Sequence, residues 1–173
     1  MNGAVATVTR SVRHVTIATG RPWAEFRADY EAAVPRFDRL EAIGVVLSGA
    51  GWEGVRGLSD ATAGDGLVNF FEFDPSPVMA LKGHTGHGVT YLSGNIVKAE
   101  PGFAAGPACF LYIPLRVMIT EGDDGDARLS FDHPADLFAA FADERLATVG
   151  AEFCATLAAL LERLGLPAVE ELR

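Results

Sequence analysis

Lysine is nearly missing from this sequence, with Lys82 and Lys98 the only two. Basic residues number 14 against 23 acidic ones, and the formal net charge is -9. The arginines are scattered and form no cluster. Binding to nucleic acid or to an anionic membrane without sequence preference needs a basic surface, so neither partner is expected. Cysteine is also scarce. Cys109 and Cys154 are too few for a disulfide framework. Both sit in apolar surroundings in the sequence, where a thiol packs as a small hydrophobe. No apolar run approaches the roughly 20 residues that span a bilayer. The N-terminus has no continuous apolar stretch after a basic start, so it does not read as a secretory signal. A soluble cytoplasmic protein is the expectation. Phosphate-loop patterns are missing too. Gly49, Gly51 and Gly54 fit a bare Gly-x-Gly-x-x-Gly, but the glycines continue to Gly57 without the strand, turn and helix that give the pattern meaning. No cofactor is expected.

What is present is apolar and patterned. The 173 residues, 49% of them hydrophobic, suit one domain over residues 1–173 with a core that needs no staple. The strongest signal lies at residues 110–119. Leu111, Ile113, Leu115, Val117 and Ile119 alternate with Phe110, Tyr112, Pro114, Arg116 and Met118. Period two puts the five aliphatic side chains on one face, which must be buried. Pro114 lacks an N–H and so places this strand at an edge or a bulge.

Residues 12–18 read as a first strand, rich in β-branched side chains. Thr19 to Pro22 break it. Trp23, Phe26, Tyr30 and Val34 then recur at helical spacing, and the helix should stop before Pro35. Residues 37–47 suggest a short helix or strand. The glycines from Gly49 onward, around Trp52 and Val55, suggest irregular backbone. Strands follow at 66–73 and 89–92. Residues 96–99 make a short helical piece, and 100–107 a loop. Asp124-Gly125 after the central strand is a hairpin signal, with Ala127, Leu129 and Phe131 on the core side of the second arm. A helix begins near Asp132-His133-Pro134. A final helix carries Leu146, Val149, Phe153, Leu157, Leu160 and Leu164, closed by Gly165 and Pro167. This order implies an α+β fold, with one mainly antiparallel sheet, helices on one face and a long C-terminal helix.

His84 and His87 form His-x-x-His in a glycine-rich turn. Without a third ligand at metal spacing, no metal is expected there. Glu121, Asp123, Asp124 and Asp126 lack EF-hand spacing, and a hairpin tip accounts for them. Arg116 is different. A guanidinium among apolar neighbours must pair or reach water. If the strands are neighbours, Tyr91, Asn95, Tyr112 and Arg116 lie close enough to hold a carboxylate or phosphate. The alternative is an ion pair, for instance to Glu72, or a side chain that snorkels at the sheet edge.

At Tyr91-Leu92-Ser93-Gly94-Asn95 and Ile113-Pro114-Leu115-Arg116-Val117-Met118 the sequence resembles a bacterial family, domain of unknown function 302. That family carries a strand ending in Gly-Asn, a short helix, an aliphatic strand with Pro-x-Arg, and a hairpin ending near Asp-x-Pro. Asp132-His133-Pro134 matches the last of these. The resemblance covers residues 67–141. Ile96 stands where members usually have proline. Residues 48–66 and the C-terminal helix have no counterpart in the smallest members. The resemblance implies a compact α+β domain, often dimeric, with no assigned chemistry. Two functions stay open. One is a non-catalytic small-ligand-binding or interaction module acting as a homodimer, with a small anionic or amphipathic ligand. The other is an enzyme on a small anionic substrate using Arg116, Tyr112, Tyr91 and His84 or His87. Convergence of those groups on one pocket would favour the enzyme.

Overall fold

The computed structural model describes residues 3–172. β1 (His14–Pro22) runs straight into α1 (Trp23–Ala33), and the two-helix segment α2 (Arg39–Leu47) and α3 (Gly51–Ala63) follows. Then come β2 (Val68–Phe73), α4 (Ser76–Ala80), β3 (Gly88–Gly94) and α5 (Ile96–Ala105). A 3-10 turn, Pro107–Leu111, leads to β4 (Leu115–Glu121), which is followed by β5 (Asp126–Asp132), α6 (Pro134–Phe138) and α7 (Glu144–Arg163). The five strands form one antiparallel sheet in the order β1-β5-β4-β3-β2. The fold is α+β, as the pattern of elements implies.

One face of that sheet is core. Val117 sits opposite Tyr91 and Phe131, and Ile119 opposite Val89 and Leu129. All six are buried. They join Phe26 and Tyr30 of α1 and Phe153 and Leu157 of α7 in a single core. On α7, buried side chains recur every three or four residues from Leu146 to Leu161, as an amphipathic helix requires. Asp143 caps its N-terminus by accepting from the Arg145 N–H. The other face of the sheet is uncovered. Phe71, Leu92 and Arg116 form one row across it, and Phe73, Thr90, Met118, Ser130 and Thr16 the next. None of these side chains is buried.

Four expectations need correction. The aliphatic face does not extend to Leu111, which is 77% exposed in the 3-10 turn. Cys109, fully buried, fills the core at that point instead. The alternation ran past the true strand start because Phe110, Leu111 and Tyr112 are apolar for local reasons. Pro114 marks neither an edge nor a bulge. It precedes β4, the middle strand, and follows a cis Ile113–Pro114 bond. The ladder to β3 starts at Leu115 opposite Ser93, so the missing N–H costs no ladder bond. Residues 100–105 are helical rather than looped. The glycine-rich stretch is mostly helical as well. Glycines with positive φ mark only the helix boundaries: Gly49 at 75°, Gly51 at 63° and Gly64 at 54°. Gly54 serves close helix packing: a Cβ there would lie 2.6 Å from the Ala50 Cβ and 2.9 Å from Val45 Cγ1.

α2 and α3 stand apart from the main core, which has no member between Val34 and Leu67. Neither helix holds a buried residue. They pack on each other, and α3 also touches α5.

This register makes a paired prediction for chemical denaturation. Ile119→Ala should cost about 2–5 kcal/mol, the usual range for emptying a closed site. Leu111→Ala should stay within about 0.5 kcal/mol, as at an open surface.

Candidate functional site

A cavity of about 250 Å³ lies between α2, α3, β2 and the start of α5. Three aromatic rings line it: Phe37, Trp52 and Phe70. Phe37 and Phe70 meet with ring centres 4.7 Å apart. Val45 from α2, Val55 and Leu58 from α3 and Ile96 from α5 complete an aliphatic wall. The polar lining groups are spent on the fold. Asp38 Oδ1 accepts from the N–H groups of Leu40 and Glu41 at 2.8 and 3.0 Å and caps α2. The Thr62 hydroxyl donates to the Leu58 carbonyl at 2.8 Å, and the Ser59 hydroxyl to Asn95 Oδ1 at 3.4 Å. No basic side chain lines the cavity. The space therefore suits an apolar body and gives a buried anionic group no partner. The sequence does not announce it, because glycines at this spacing read as irregular backbone. The usable signal was Val45, Trp52, Val55 and Leu58, apolar residues carried on two short helices.

The four residues named from the sequence do not converge. Tyr91 points to the core face. Its ring lies 4.8 Å from that of Tyr30, and its hydroxyl donates to Glu31 at 2.7 Å. Burial, with the Glu31 carboxylate beside it, pushes the Tyr91 phenol far up. Arg116 points to the uncovered face and is exposed. Strand parity separates the two. Glu72 is no partner for Arg116: it faces the covered side, where Arg27 at 2.8 Å and Arg36 hold it. Asn95 is 4% exposed and makes only structural bonds. Its Oδ1 accepts from the Val97 and Lys98 N–H groups and caps α5. Its Nδ2 donates to the carbonyls of Gly64 and Gly66 at 3.2 and 2.9 Å, which fastens the chain between α3 and β2. Tyr112 does share a surface depression with Arg116, and Arg10 joins them.

His84 is exposed. His87 stacks on Trp23 at 6.1 Å and lies 3.9 Å from Glu121. Both are in the turn before β3, whereas Tyr112 comes just before β4. Among the described residues, no group of three or more His, Cys, Asp or Glu side chains is placed to hold a metal ion. One polar cluster was not foreseen. His133 is buried, with Nε2 3.8 Å from Cys154 Sγ and Nδ1 3.1 Å from the Arg13 guanidinium. Burial pushes the Cys154 thiol up, away from the reactive thiolate. Arg13 grips Asp136 through its side chain at 2.7 and 2.8 Å and its backbone N–H at 2.9 Å.

The model of the family described as domain of unknown function DUF302 matches residues 53–164. The chain belongs to the DUF302 family. A solved structure titled as an uncharacterized conserved DUF302 protein from Bacillus stearothermophilus is similar in fold, with a TM-score of 0.62 and 16% identity. The similarity covers 87% of this chain and 97% of that one. No curated protein matches the chain in sequence. The DUF302 match begins inside α3, so α2 and Trp52, one side of the cavity, precede it. Asn95, Tyr112 and Arg116 all fall inside it.

Two outcomes follow from these polar groups. Asn95→Ala should lower unfolding free energy by about 1–3 kcal/mol in a urea titration, because it removes a cap and leaves buried partners unmet. The hydrogen bonds from Arg13 hold the Asp136 carboxyl down at about 2, below the roughly 3.9 of an unfolded chain. A depressed folded pKa stabilises above the unfolded value and loses that contribution as pH falls through the folded one. The stability gap between the wild type and Asp136→Asn should therefore be full above about pH 4 and close towards pH 2. Denaturation curves at several pH values measure it.

Proposed function

We propose that this chain is a single-domain, non-catalytic binding module that takes a small apolar or amphipathic molecule between α2, α3 and β2. The observation that carries this reading is the aromatic-lined cavity of about 250 Å³ under a helix pair that contributes nothing to the main core. An enclosed apolar space of about 150 Å³ is enough to bind benzene, so a two-ring or medium-chain molecule is the matching size class. Helices outside the core open at lower free-energy cost than the core itself, which gives a ligand its way in. The enzyme reading is weaker, because it needs Tyr91, Tyr112, Arg116 and a histidine in one pocket. They are divided between the two faces and different ends of the chain's elements.

The module acts as a homodimer in this reading, in the cytoplasm. Phe71 and Phe73 support the dimer. They are 55% and 54% exposed on the uncovered face, with Met118 in the row of Phe73, an apolar stripe at the β2 edge that a second copy would shield. No helix among the described residues is long and apolar enough to cross a membrane.

Fluorescence with the uncharged dye N-phenyl-1-naphthylamine tests the ligand reading. Binding should be saturable and should quench Trp52. Ala42→Phe, which fills the cavity from α2, should weaken it at least tenfold without lowering the melting temperature. Dye binding unchanged in that variant would remove the cavity from the argument. Sedimentation of Phe73→Asp tests the dimer: the wild type should run at twice the chain mass and the variant at the chain mass.

A further inference from the structure

The geometry points to a second ligand site, on the uncovered sheet face, where Arg10 and Arg116 hold the acid group of a flat or short-chain carboxylate whose apolar body lies against Leu92, Leu111 and Pro114. The site is independent of the α2–α3 cavity. It occupies a depression of about 520 Å³ where the N-terminal segment passes the 3-10 turn and the start of β4.

Three observations carry it. The first is charge. In a chain with 23 acidic and 14 basic residues, six of the arginines have an acidic partner: Arg13, Arg21, Arg27, Arg36, Arg128 and Arg145. Arg10 and Arg116 make no ion pair among the described residues, yet both border this one depression. The second is preorganisation. Arg10 is not a loose surface side chain. Its guanidinium lies 4.2 Å from the centre of the Tyr112 ring, and one N–H donates to the Leu137 carbonyl at 2.7 Å. Tyr112 is itself held edge-on by Phe141 at 5.7 Å. A guanidinium fixed by stacking and one hydrogen bond keeps its other donors directed, which suits planar carboxylate recognition. The third is the wall. Leu111, an exposed leucine left over by the fold, borders the same depression with Leu92 and Pro114. An inorganic anion has no use for that surface, whereas the body of an organic acid does.

Asp132 is the one acid at the rim. It is 2.9 Å from His14 Nδ1 on the neighbouring strand, so it has a partner on the side away from Arg116. Its charge disfavours a second acid group on the ligand, which makes a monocarboxylate the matching class.

Calorimetric titration with 2-naphthoate, and with uncharged 2-naphthamide as control, tests the site on the full chain. Naphthoate should bind at least tenfold tighter than the amide, and Arg116→Gln and Arg10→Gln should each weaken it about tenfold. Asp132→Asn should tighten it. Ala42→Phe, which fills the other cavity, should leave it unchanged. Both arginine positions are at least partly exposed, and circular dichroism confirms that the variants fold. Equal affinity for acid and amide overturns the proposal, as does unchanged binding in both arginine variants. Loss of naphthoate binding in Ala42→Phe overturns it too, by assigning the acid to the α2–α3 cavity. Failure of the neutral dye to bind that cavity leaves this outcome untouched.

Discussion

Alternation along β4 governs the molecule. Leu115, Val117 and Ile119 are at most 2% exposed, and the residues between them are not buried. Because the side-chain period in a strand is two, this one segment fixes which face of every paired neighbour is core. Tyr91 opposite Val117 must go inward, and Leu92 opposite Arg116 must go outward. The same parity carries through β5 to β1. A one-residue slip of β4 would put Arg116 in the core and Val117 in water. The register also decides the chemistry of each face. Tyr91, Glu31 and Arg27 make a polar network at the edge of the core, while Arg116 is left to the surface.

The second organising feature is what the core leaves out. The segment from Pro35 to Gly66 contributes no side chain to it. Its helices hold their own apolar surface against Val68, Phe70 and Ile96, around a space they do not fill. A well-packed interior of this size would not keep such a void by default. The loop that closes the segment is tied down by Asn95, which caps α5 and reaches back to the Gly64 and Gly66 carbonyls. One side chain thus links the end of the helix pair to the end of β3. That is a structural reason for asparagine at the end of the Gly-Asn strand motif.

Charge works locally against the bulk composition. The acidic excess disfavours polyanionic partners. It does not prevent a small anion from finding two cations that make no ion pair among the described residues. Arg10 shows how far such a site depends on tertiary arrangement: it is 102 positions from Tyr112 in sequence and stacks on its ring.

The sequence by itself determined the α+β class, the hairpin at Asp124-Gly125, the buried stripes of α1 and α7, and the inward set Leu115, Val117 and Ile119. These are local periodicities and turn chemistries, and each is written in consecutive residues. It also carried the DUF302 motif. It overran at Leu111 and Tyr112, because apolar side chains in a 3-10 turn alternate as well as those in a strand. It read the whole glycine run as irregular, because Gly54, placed for helix–helix contact, looks the same in sequence as Gly49 and Gly51, which take positive φ at the turn. Only the tertiary structure decided that Tyr91 and Arg116 face opposite ways, since their relation depends on the β3–β4 register. Only it turned Asn95 from a candidate ligand group into a cap. And only it brought Arg10 to the same depression as Arg116, because contacts between distant segments are set by packing, which no local pattern records.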